Sequence, residues 1–167
     1  MLESHFIFIY PDNTPDYDKK LSGLASASWP EFMLHDPVAD EYWDRLIEFF
    51  PQLQFALMDT RINKVVAQAN SVALYWPHDL QNLPEGGWDW VFQQAVSDHI
   101  AGKTANIQSA IQIAIHPQYR GMGLSAIMVS KMREVGKQHG FKKLIAPVRP
   151  NQKSNYPLIS IDNYITW

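Results

Sequence analysis

The sequence predicts a mixed α/β fold of the α+β type, in which a central, mainly antiparallel sheet is flanked by helices. Residues 107–115 alternate between apolar and polar side chains, and two strand-like segments, 54–58 and 64–75, flank a polar connection typical of a hairpin. From Gly123 onward the apolar residues recur with a helical period. With 167 residues and 46% hydrophobic side chains, residues 1–167 are expected to form a single domain with a sizeable core.

One strand and two helices are predicted before the hairpin. Residues 5–10 are aromatic and β-branched and end at the turn-forming segment 11–15, which favours a strand. One helix is expected within residues 16–27 and another over about 39–50, ending before Pro51. The apolar residues of the second helix recur at helical spacing: Tyr42, Leu46, Ile47 and Phe50.

Residues 77–105 have the character of an insertion between strands. A helix is expected over residues 88–99, ending before Gly102. The alternation in the strand over 107–115 predicts two faces, one formed by Ile107, Ile111, Ile113 and Ile115, the other by Gln108, Gln112 and the following His116. A helix from Gly123 to His139 follows, and then a strand over 141–148, so the inferred unit is strand, glycine turn, helix and strand.

Charge and composition exclude several classes of function. A formal net charge of -3 and a pI near 6.0 argue against a general affinity for nucleic acid. The chain has no cysteine, which removes disulfides, thiolate metal sites and cysteine nucleophiles and agrees with a reducing compartment. The apolar stretch from Phe6 to Tyr10 is too short for a signal sequence or a membrane span. We therefore expect a cytoplasmic protein with neither a nucleic acid nor a membrane as its partner.

The segment from Gln118 to Ser125, which reads Gln-Tyr-Arg-Gly-Met-Gly-Leu-Ser, is the most informative in the chain. Two glycines ahead of an amphipathic helix allow a tight turn, so that backbone N–H groups and the helix dipole can point at one anion. The spacing is neither that of a P-loop nor the three-glycine spacing of a dinucleotide site. The segment therefore predicts a phosphate site of another kind.

Gln118, Gly121 and Gly123 match the pattern Gln/Arg-x-x-Gly-x-Gly/Ala, with Arg120 and Ser125 fitting as well, and the segment thus resembles the acyl-CoA-binding motif of the GNAT acyltransferase superfamily. The resemblance implies a GNAT-like fold, acetyl-CoA (coenzyme A) as co-substrate without a metal, and transfer of the acetyl group to a small-molecule or peptide amine. It also implies that backbone groups bind the cofactor pyrophosphate and pantetheine arm. The implied cofactor-binding residues are Ile113, Ile115, Gln118, Arg120, Gly121, Met122, Gly123, Leu124 and Ser125.

The catalytic residues stay unassigned at this stage. The family often supplies a general base as a carboxylate on the motif strand, and this strand has none. The remaining candidates are Asp59, Glu85, Asp89, a histidine or an ordered water. His116, at the end of the strand, is interpreted as a solvated residue rather than a base. The family also places a tyrosine as general acid on the helix after the next strand, where Tyr156 and Tyr164 are weak candidates, the latter on a short helix that Ser160 could cap.

Further features admit more than one interpretation. Trp88 and Trp90 either line an acceptor pocket or simply pack, and the pair of Lys142 and Lys143 either reaches the adenosine phosphate of coenzyme A or is solvated. Family members normally continue with two further strands after the region reached at Trp167. The domain is therefore expected to be incomplete at its C-terminus, or to be completed by a partner chain or its own N-terminal strand, which makes a homo-oligomer a reasonable expectation.

Two other classes of function are kept beside the enzyme. The first is a non-catalytic acyl-CoA-binding or regulatory module, motivated by the missing carboxylate. The second is a structural or protein-binding domain whose glycine turn matches the motif by accident.

Overall fold

The computed structural model describes residues 3–148, 155–156 and 158–166. Within them five strands form one sheet in the order β1-β2-β3-β4-β5. The strands are β1 Phe6–Ile9, β2 Phe55–Asp59, β3 Lys64–Leu74, β4 Ile107–Ile115 and β5 Leu144–Ile145. The pairs β1-β2, β2-β3 and β3-β4 are antiparallel and β4-β5 is parallel. The predicted mixed, mainly antiparallel sheet flanked by helices is therefore confirmed, and the predicted hairpin is the pair β2-β3.

The described helices are α1 Tyr17–Leu21, α2 Leu24–Ser28, α3 Pro37–Tyr42, α4 Arg45–Phe49, α5 Gly87–Ile100, α6 Leu124–Gln138 and α7 Ile161–Tyr164. Two predicted helices are each divided into two shorter ones. Gly23, with a φ of +82°, separates α1 from α2. The helix expected over 39–50 is interrupted where the Leu46 N–H bonds to the Trp43 carbonyl three residues back. In the described part of the chain, none of the helices has the length and apolar character needed to span a bilayer.

The core surrounds the central strand β3, in which every residue from Val65 to Leu74 is buried. The larger apolar cluster joins the sheet to α4, α5 and α6, and its fully buried members include Leu46, Phe55, Phe92, Met128 and Met132. A smaller cluster joins α1 and α2 to the sheet through Tyr17, Leu24, Ala56, Val65 and Ala114. Both clusters include residues of β2, β3 and β4, so the middle of the sheet is closely packed on both faces and supports the edge of β4.

A β-bulge in β4 corrects the predicted faces of that strand. Asn70 of β3 pairs with Gln112, but the next residue, Ser71, pairs with Ala110, so Ile111 is an extra residue in the ladder. An extra residue shifts the two-residue alternation by one, and side chains on its two sides exchange faces. Ile107 therefore lies on the face opposite to Ile113 and Ile115, and Gln108 lies on the face opposite to Gln112.

The last predicted strand is much shorter than expected. Residues 141–148 were expected to be extended throughout, and only Leu144 and Ile145 are paired in the sheet. Pro147 has no N–H to donate to a ladder, and the chain leaves β4 directly after Ile145. This early separation of β5 from β4 opens the edge of the sheet beside the glycine turn.

Candidate functional site

The edge of β4 is open over half of the strand's length. β5 pairs only with Gln108 and Ser109, and no other described strand adjoins this edge. The His116 N–H donates to the Val66 carbonyl of β3. At this end of β4, the backbone N–H and C=O groups of the even-numbered residues therefore point toward β3. Because backbone polar groups alternate in direction along a strand, the N–H and C=O groups of Ile113 and Ile115 face the open edge. Ser28 Oγ donates to the Ile115 carbonyl at 3.3 Å from that side.

The glycine turn follows at the end of this edge and leads into α6. Gly121 and Gly123 have φ angles of +80° and +74°, in the left-handed region that favours glycine. Gly123 is the N-cap of α6, no side chain of the described residues caps this helix, and its first turn contains no acidic residue. By contrast, Asp36 caps α3. The N–H groups of the first turn of α6 are therefore available to an anion, which the helix dipole also favours.

A cavity of about 210 Å³ connects the glycine turn to the open edge. Its walls come from the end of α2, from β4 and from the motif: Ser28, Trp29, Ile113, Ala114, Ile115 and Arg120. Arg120 Nη2 donates to the Ser28 carbonyl at 2.9 Å, so this side chain ties α2 to the turn. A second, wider depression of about 490 Å³ lies on α6, where Ser125 and Arg133 line it.

The predicted cofactor residues thus fall into one continuous region, but they contribute different atoms. Gln118 and Met122 are exposed in the turn, and the Gln118 N–H donates to His116 Nδ1 at 3.3 Å. Leu124 is buried in the core, so only its backbone can face a ligand. His116 is accordingly the N-cap of the short 3₁₀ turn Pro117–Tyr119.

Among the carboxylates considered as a base, Asp59 is the most constrained. It ends β2 and is fully buried, with Arg61 donating from N and Nε to Oδ1 at 3.0 and 3.1 Å and from Nη2 to Oδ2 at 2.7 Å. Tyr119 Oη–H also donates to Oδ2, at 3.0 Å. The hydrogen bonds from Arg61 hold the pKa of the Asp59 carboxyl well below its usual range, against the opposing effect of burial. A carboxylate so engaged is a poor proton acceptor at neutral pH.

A neutral network of side-chain amides lies behind the open edge. Trp29 Nε1 donates to Gln112 Oε1, Gln112 Nε2 donates to Asn70 Oδ1, and Asn70 Nδ2 donates to Gln54 Oε1, each at 2.9 Å. Gln54 Nε2 then donates to two backbone carbonyls, at 2.7 and 2.8 Å. None of these groups titrates near neutral pH, so the network can orient Trp29 but cannot take up a proton.

The first turn of α5 contacts β4 at its bulge. Trp88 Nε1 donates to the carbonyl of the bulged Ile111 at 2.8 Å. Trp90 packs edge-on against Trp76 at 5.5 Å. Both tryptophans are half-buried and make packing contacts, and Asp89 between them is exposed. The bond from Trp88 places the first turn of α5 against β4, and Asp89 in that turn is exposed, whereas Asp59 is buried.

The tyrosines considered as general acids lie near the end of the chain. Ser160 Oγ accepts the Asn163 N–H at 3.3 Å and caps α7, so the expected short helix carrying Tyr164 is present. The rings of Tyr156 and Tyr164 lie 5.8 Å apart. Lys142 and Lys143 are exposed ahead of β5. The segment 149–154, which separates β5 from these tyrosines, lies outside the described residues.

Sequence reasoning missed three residues of this region, namely Ser28, Trp29 and Tyr119. Ser28 and Trp29 belong to α2 and the residue after it, far from the motif along the chain, and no local pattern indicates that they reach β4. Tyr119 lies inside the motif as the one large aromatic side chain among polar and glycine neighbours. That contrast was a usable signal for an anchoring role.

Comparisons with known proteins show the family of this chain. The family model described as the acetyltransferase (GNAT) family matches residues 19–159. A curated relative, the arginine N-acetyltransferase avaD of Aspergillus versicolor, is 32% identical over 150 residues, which cover 85% of this chain and 51% of the relative. The chain therefore spans about half the length of the curated relative that it matches.

Solved structures show the same fold. The loading GNATL domain of CurA from Lyngbya majuscula superposes with a TM-score of 0.70 at 20% identity, covering 97% of this chain and 74% of that one. AAC(6')-Iy, in complex with the bisubstrate analogue CoA-S-monomethyl-acetylneamine, has a TM-score of 0.56 at 13% identity, covering 93% and 87% respectively. At these identities the similarity concerns the fold alone.

Proposed function

The chain belongs to the acetyltransferase (GNAT) family, and from this premise we propose that it transfers an acetyl group from acetyl-CoA to a primary amine by direct attack. The observation that carries the proposal is the uncapped N-terminus of α6, preceded by two glycines of positive φ, at the open edge of β4. Such an arrangement suits a diphosphate, because backbone N–H groups and the helix dipole act on the same anion.

The fit of acetyl-CoA to the region rests on two sets of backbone groups. The turn and the first residues of α6 offer N–H groups to the diphosphate: Arg120, Gly121, Met122, Gly123, Leu124 and Ser125. Ile113 and Ile115 direct their N–H and C=O groups to the open edge, where an extended amide-containing arm can pair with them as a strand would. The cavity between α2 and β4 leads from one set to the other.

The reaction requires positioning more than covalent participation. The amine nitrogen forms a bond to the thioester carbonyl carbon, the carbon–sulfur bond breaks, and the thiolate of coenzyme A leaves and takes up a proton. A thioester is already activated, so a neutral amine held in line with the carbonyl can attack it directly, while an amide N–H stabilises the developing oxyanion. The amine loses its proton to a base or to water. For the base we favour Glu85, Asp89, a histidine or an ordered water over Asp59, whose carboxylate is engaged by Arg61 and Tyr119.

The acceptor is proposed to be a small-molecule amine. The curated relative is an arginine N-acetyltransferase, which supports an amino-acid or other small cationic amine as the first class to test. A peptide amine is the second class. We further propose that residues 1–167 act as one acyltransferase domain in the cytoplasm.

Isothermal titration calorimetry with coenzyme A and acetyl-CoA tests the donor side. We expect saturable binding to the folded protein and a rise in melting temperature with ligand concentration, as mass action requires. Competition by pyrophosphate is expected as well, because the same N–H groups would bind it. Absence of binding to well-folded protein would contradict both the proposal that acetyl-CoA is the donor and the proposed acetyl transfer.

Release of coenzyme A thiol tests the transfer itself. The chain contains no cysteine, so a thiol reagent reports released coenzyme A without a signal from the protein. We expect thiol release that depends on both acetyl-CoA and an amine, with arginine first in the panel, and an acetylated product identified by mass spectrometry.

A second candidate function is a non-catalytic acyl-CoA-binding or regulatory module. The observation that favours it is the neutral amide network, because Gln112 occupies a position on β4 where a carboxylate could have acted as base. Tight acetyl-CoA binding without amine-dependent thiol release across amino acids, polyamines, aminoglycosides and peptides would favour this module over the enzyme.

A further inference from the structure

We propose that Asp59 and Arg61 are positioning residues for the glycine turn, and that they act through the hydroxyl of Tyr119 to hold its phosphate-binding N–H groups in place. The inference rests on the proposed binding of acetyl-CoA at this turn. It gives a role to the ion pair between the exposed Arg61 and the buried Asp59, which the proposed chemistry does not use.

Tyr119 is the anchor of an otherwise exposed segment. From Pro117 to Gly123 every residue except Tyr119 is exposed, and Tyr119 is half-buried. Its ring lies 6.1 Å from the ring of Phe6 on β1, in an edge-to-face arrangement. Side-chain burial is therefore concentrated at one residue, directly before Arg120 and the two glycines whose N–H groups we assign to the diphosphate.

The acceptor of the Tyr119 hydroxyl is held from several directions. Oδ2 of Asp59 accepts from Tyr119 at 3.0 Å and from Arg61 Nη2 at 2.7 Å, while Oδ1 accepts from Arg61 N and Nε. Asp59 is also paired on both sides within the sheet, with Phe6 of β1 and Lys64 of β3. Backbone pairing fixes the residue and Arg61 fixes its carboxylate, so Tyr119 is bonded to a rigid point.

The protonation states of Tyr119 and Asp59 stabilise the hydrogen bond between them. The bonds from Arg61 lower the pKa of the Asp59 carboxyl, so it stays an anion. Burial and the bond to Asp59 raise the pKa of Tyr119, so its hydroxyl keeps its proton and donates it. A hydrogen bond from a neutral hydroxyl to an anion is stronger than one between neutral groups.

The turn needs such an anchor because its own residues restrain it little. Gly121 and Gly123 have wide conformational freedom, and an ideal Cβ placed on either meets no described atom within 4 Å. Arg120 contributes a second attachment through Ser28, on α2. The attachments of Tyr119 and Arg120 join the turn to two separate elements, the β2-β3 hairpin and α2.

Tyr119→Phe tests the inference with the smallest change. It removes the hydroxyl and leaves the ring against Phe6. We expect the dissociation constant of coenzyme A to rise about tenfold, as for the loss of one hydrogen bond to a charged acceptor. The KM for acetyl-CoA should rise similarly, with kcat at saturating acetyl-CoA unchanged. Tyr75→Phe is the matched control, because Tyr75 is exposed and directly follows the end of β3 that lies away from Asp59. The affinity of this variant for coenzyme A should equal that of the wild type.

S-acetylpantetheine separates positioning from a general structural effect. This thioester lacks the diphosphate, so kcat/KM for it should be the same in wild type and Tyr119→Phe. An equal loss with both donors would mean that the substitution disturbs the whole site, and the inference would be wrong.

A double-mutant cycle tests the route through Asp59. Asp59→Asn and Arg61→Gln should each weaken coenzyme A binding, and Tyr119→Phe should add little in the Asp59→Asn background. Additive effects would overturn the route through Asp59. If Asp59→Asn does not fold, Arg61→Gln replaces it in the cycle, because Arg61 is largely exposed.

The outcomes separate this inference from the proposed function. Failure of the folded wild type to bind coenzyme A overturns both. Binding by the wild type with an unchanged dissociation constant in Tyr119→Phe overturns the positioning role alone.

Discussion

At the scale of single residues, Gly121 and Gly123 direct the N–H groups ahead of α6. Glycine adopts their positive φ angles at little energetic cost. For other residues the left-handed backbone conformation costs roughly 1–2 kcal/mol. Because no described atom surrounds their missing side chains, backbone conformation explains these glycines in the free protein, and space beside the turn remains for a ligand.

Gly123→Ala should therefore affect binding and stability together. We expect a loss of about 1–2 kcal/mol in the free energy of unfolding, and a coenzyme A dissociation constant raised at least tenfold, because the N–H directions change. Gly102→Ala is the control: Gly102 has a φ of +66° but follows α5, away from the turn. Urea denaturation and calorimetry measure the two effects. Equal loss of affinity in both variants would contradict the assigned role of Gly123.

Residues were predictable to different degrees. The motif glycines were predictable because their requirement is local, and a positive φ before a helix leaves its mark on the sequence. The bulge at Ile111 was not predictable, because the residues around it alternate normally. It is visible only because Asn70 and Ser71 pair with the residues on either side of Ile111. The role of Asp59 was equally hidden, because the contact with Tyr119 joins residues that are 60 positions apart.

At the scale of elements, α6 lies very close to β4. A Cβ on Gly136 would meet Oε1 of Gln108 well inside van der Waals contact. Gln108 Nε2 is fixed there by Ser71 Oγ at 2.8 Å and by the Met132 carbonyl at 3.3 Å. The close approach of helix to strand at the C-terminal end of α6 therefore depends on a glycine.

Gly136→Ala should destabilise the protein despite the higher helix propensity of alanine. Overpacking of this kind costs about 1–3 kcal/mol, because Gln108 must leave its partners or α6 must move outward. Thermal denaturation measures the change. In a Gln108→Ala background the same substitution should cost much less, and a result equal to that in the wild type would show that the contact is not the cause.

Elements with a clear period were predicted well, and those without one were not. The periods over 107–115 and from Gly123 onward correspond to β4 and α6, and residues 88–99 correspond closely to α5. The short helices α1 to α4 were predicted as two longer ones, because helical spacing continues across Gly23 and across Trp43 and Asp44. The length of β5 depends on its pairing with β4, and the sequence of residues 141–148 does not indicate where that pairing ends.

At the scale of the whole molecule, both edges of the sheet matter for association. β1 is one edge strand, and its Ile7 is 42% exposed. At the other edge β4 is unpaired beyond Ser109 in the part of the chain that the structure describes. Open edges with apolar side chains favour pairing with another chain.

Self-association accordingly stays a prediction. We expect size-exclusion chromatography with light scattering to show a mass above that of one chain at high concentration. Ile7→Lys places a charge on the β1 edge and should shift the equilibrium toward the monomer, with Ile62→Lys in the β2-β3 connection as an exposed apolar control. A monomer at all concentrations would contradict the prediction.

By itself, the sequence determined the fold class and the helix and strand identities with strong periods, and it predicts a phosphate site at the glycine turn, which resembles the GNAT motif. These follow from local rules of backbone conformation and side-chain period. Only the tertiary structure decided the bulge at Ile111, the separation of β5 from β4, and the engagement of Asp59 by Arg61 and Tyr119. Each of these depends on which distant segments meet, because pairing and burial are settled by contacts between elements and not by the residues next along the chain.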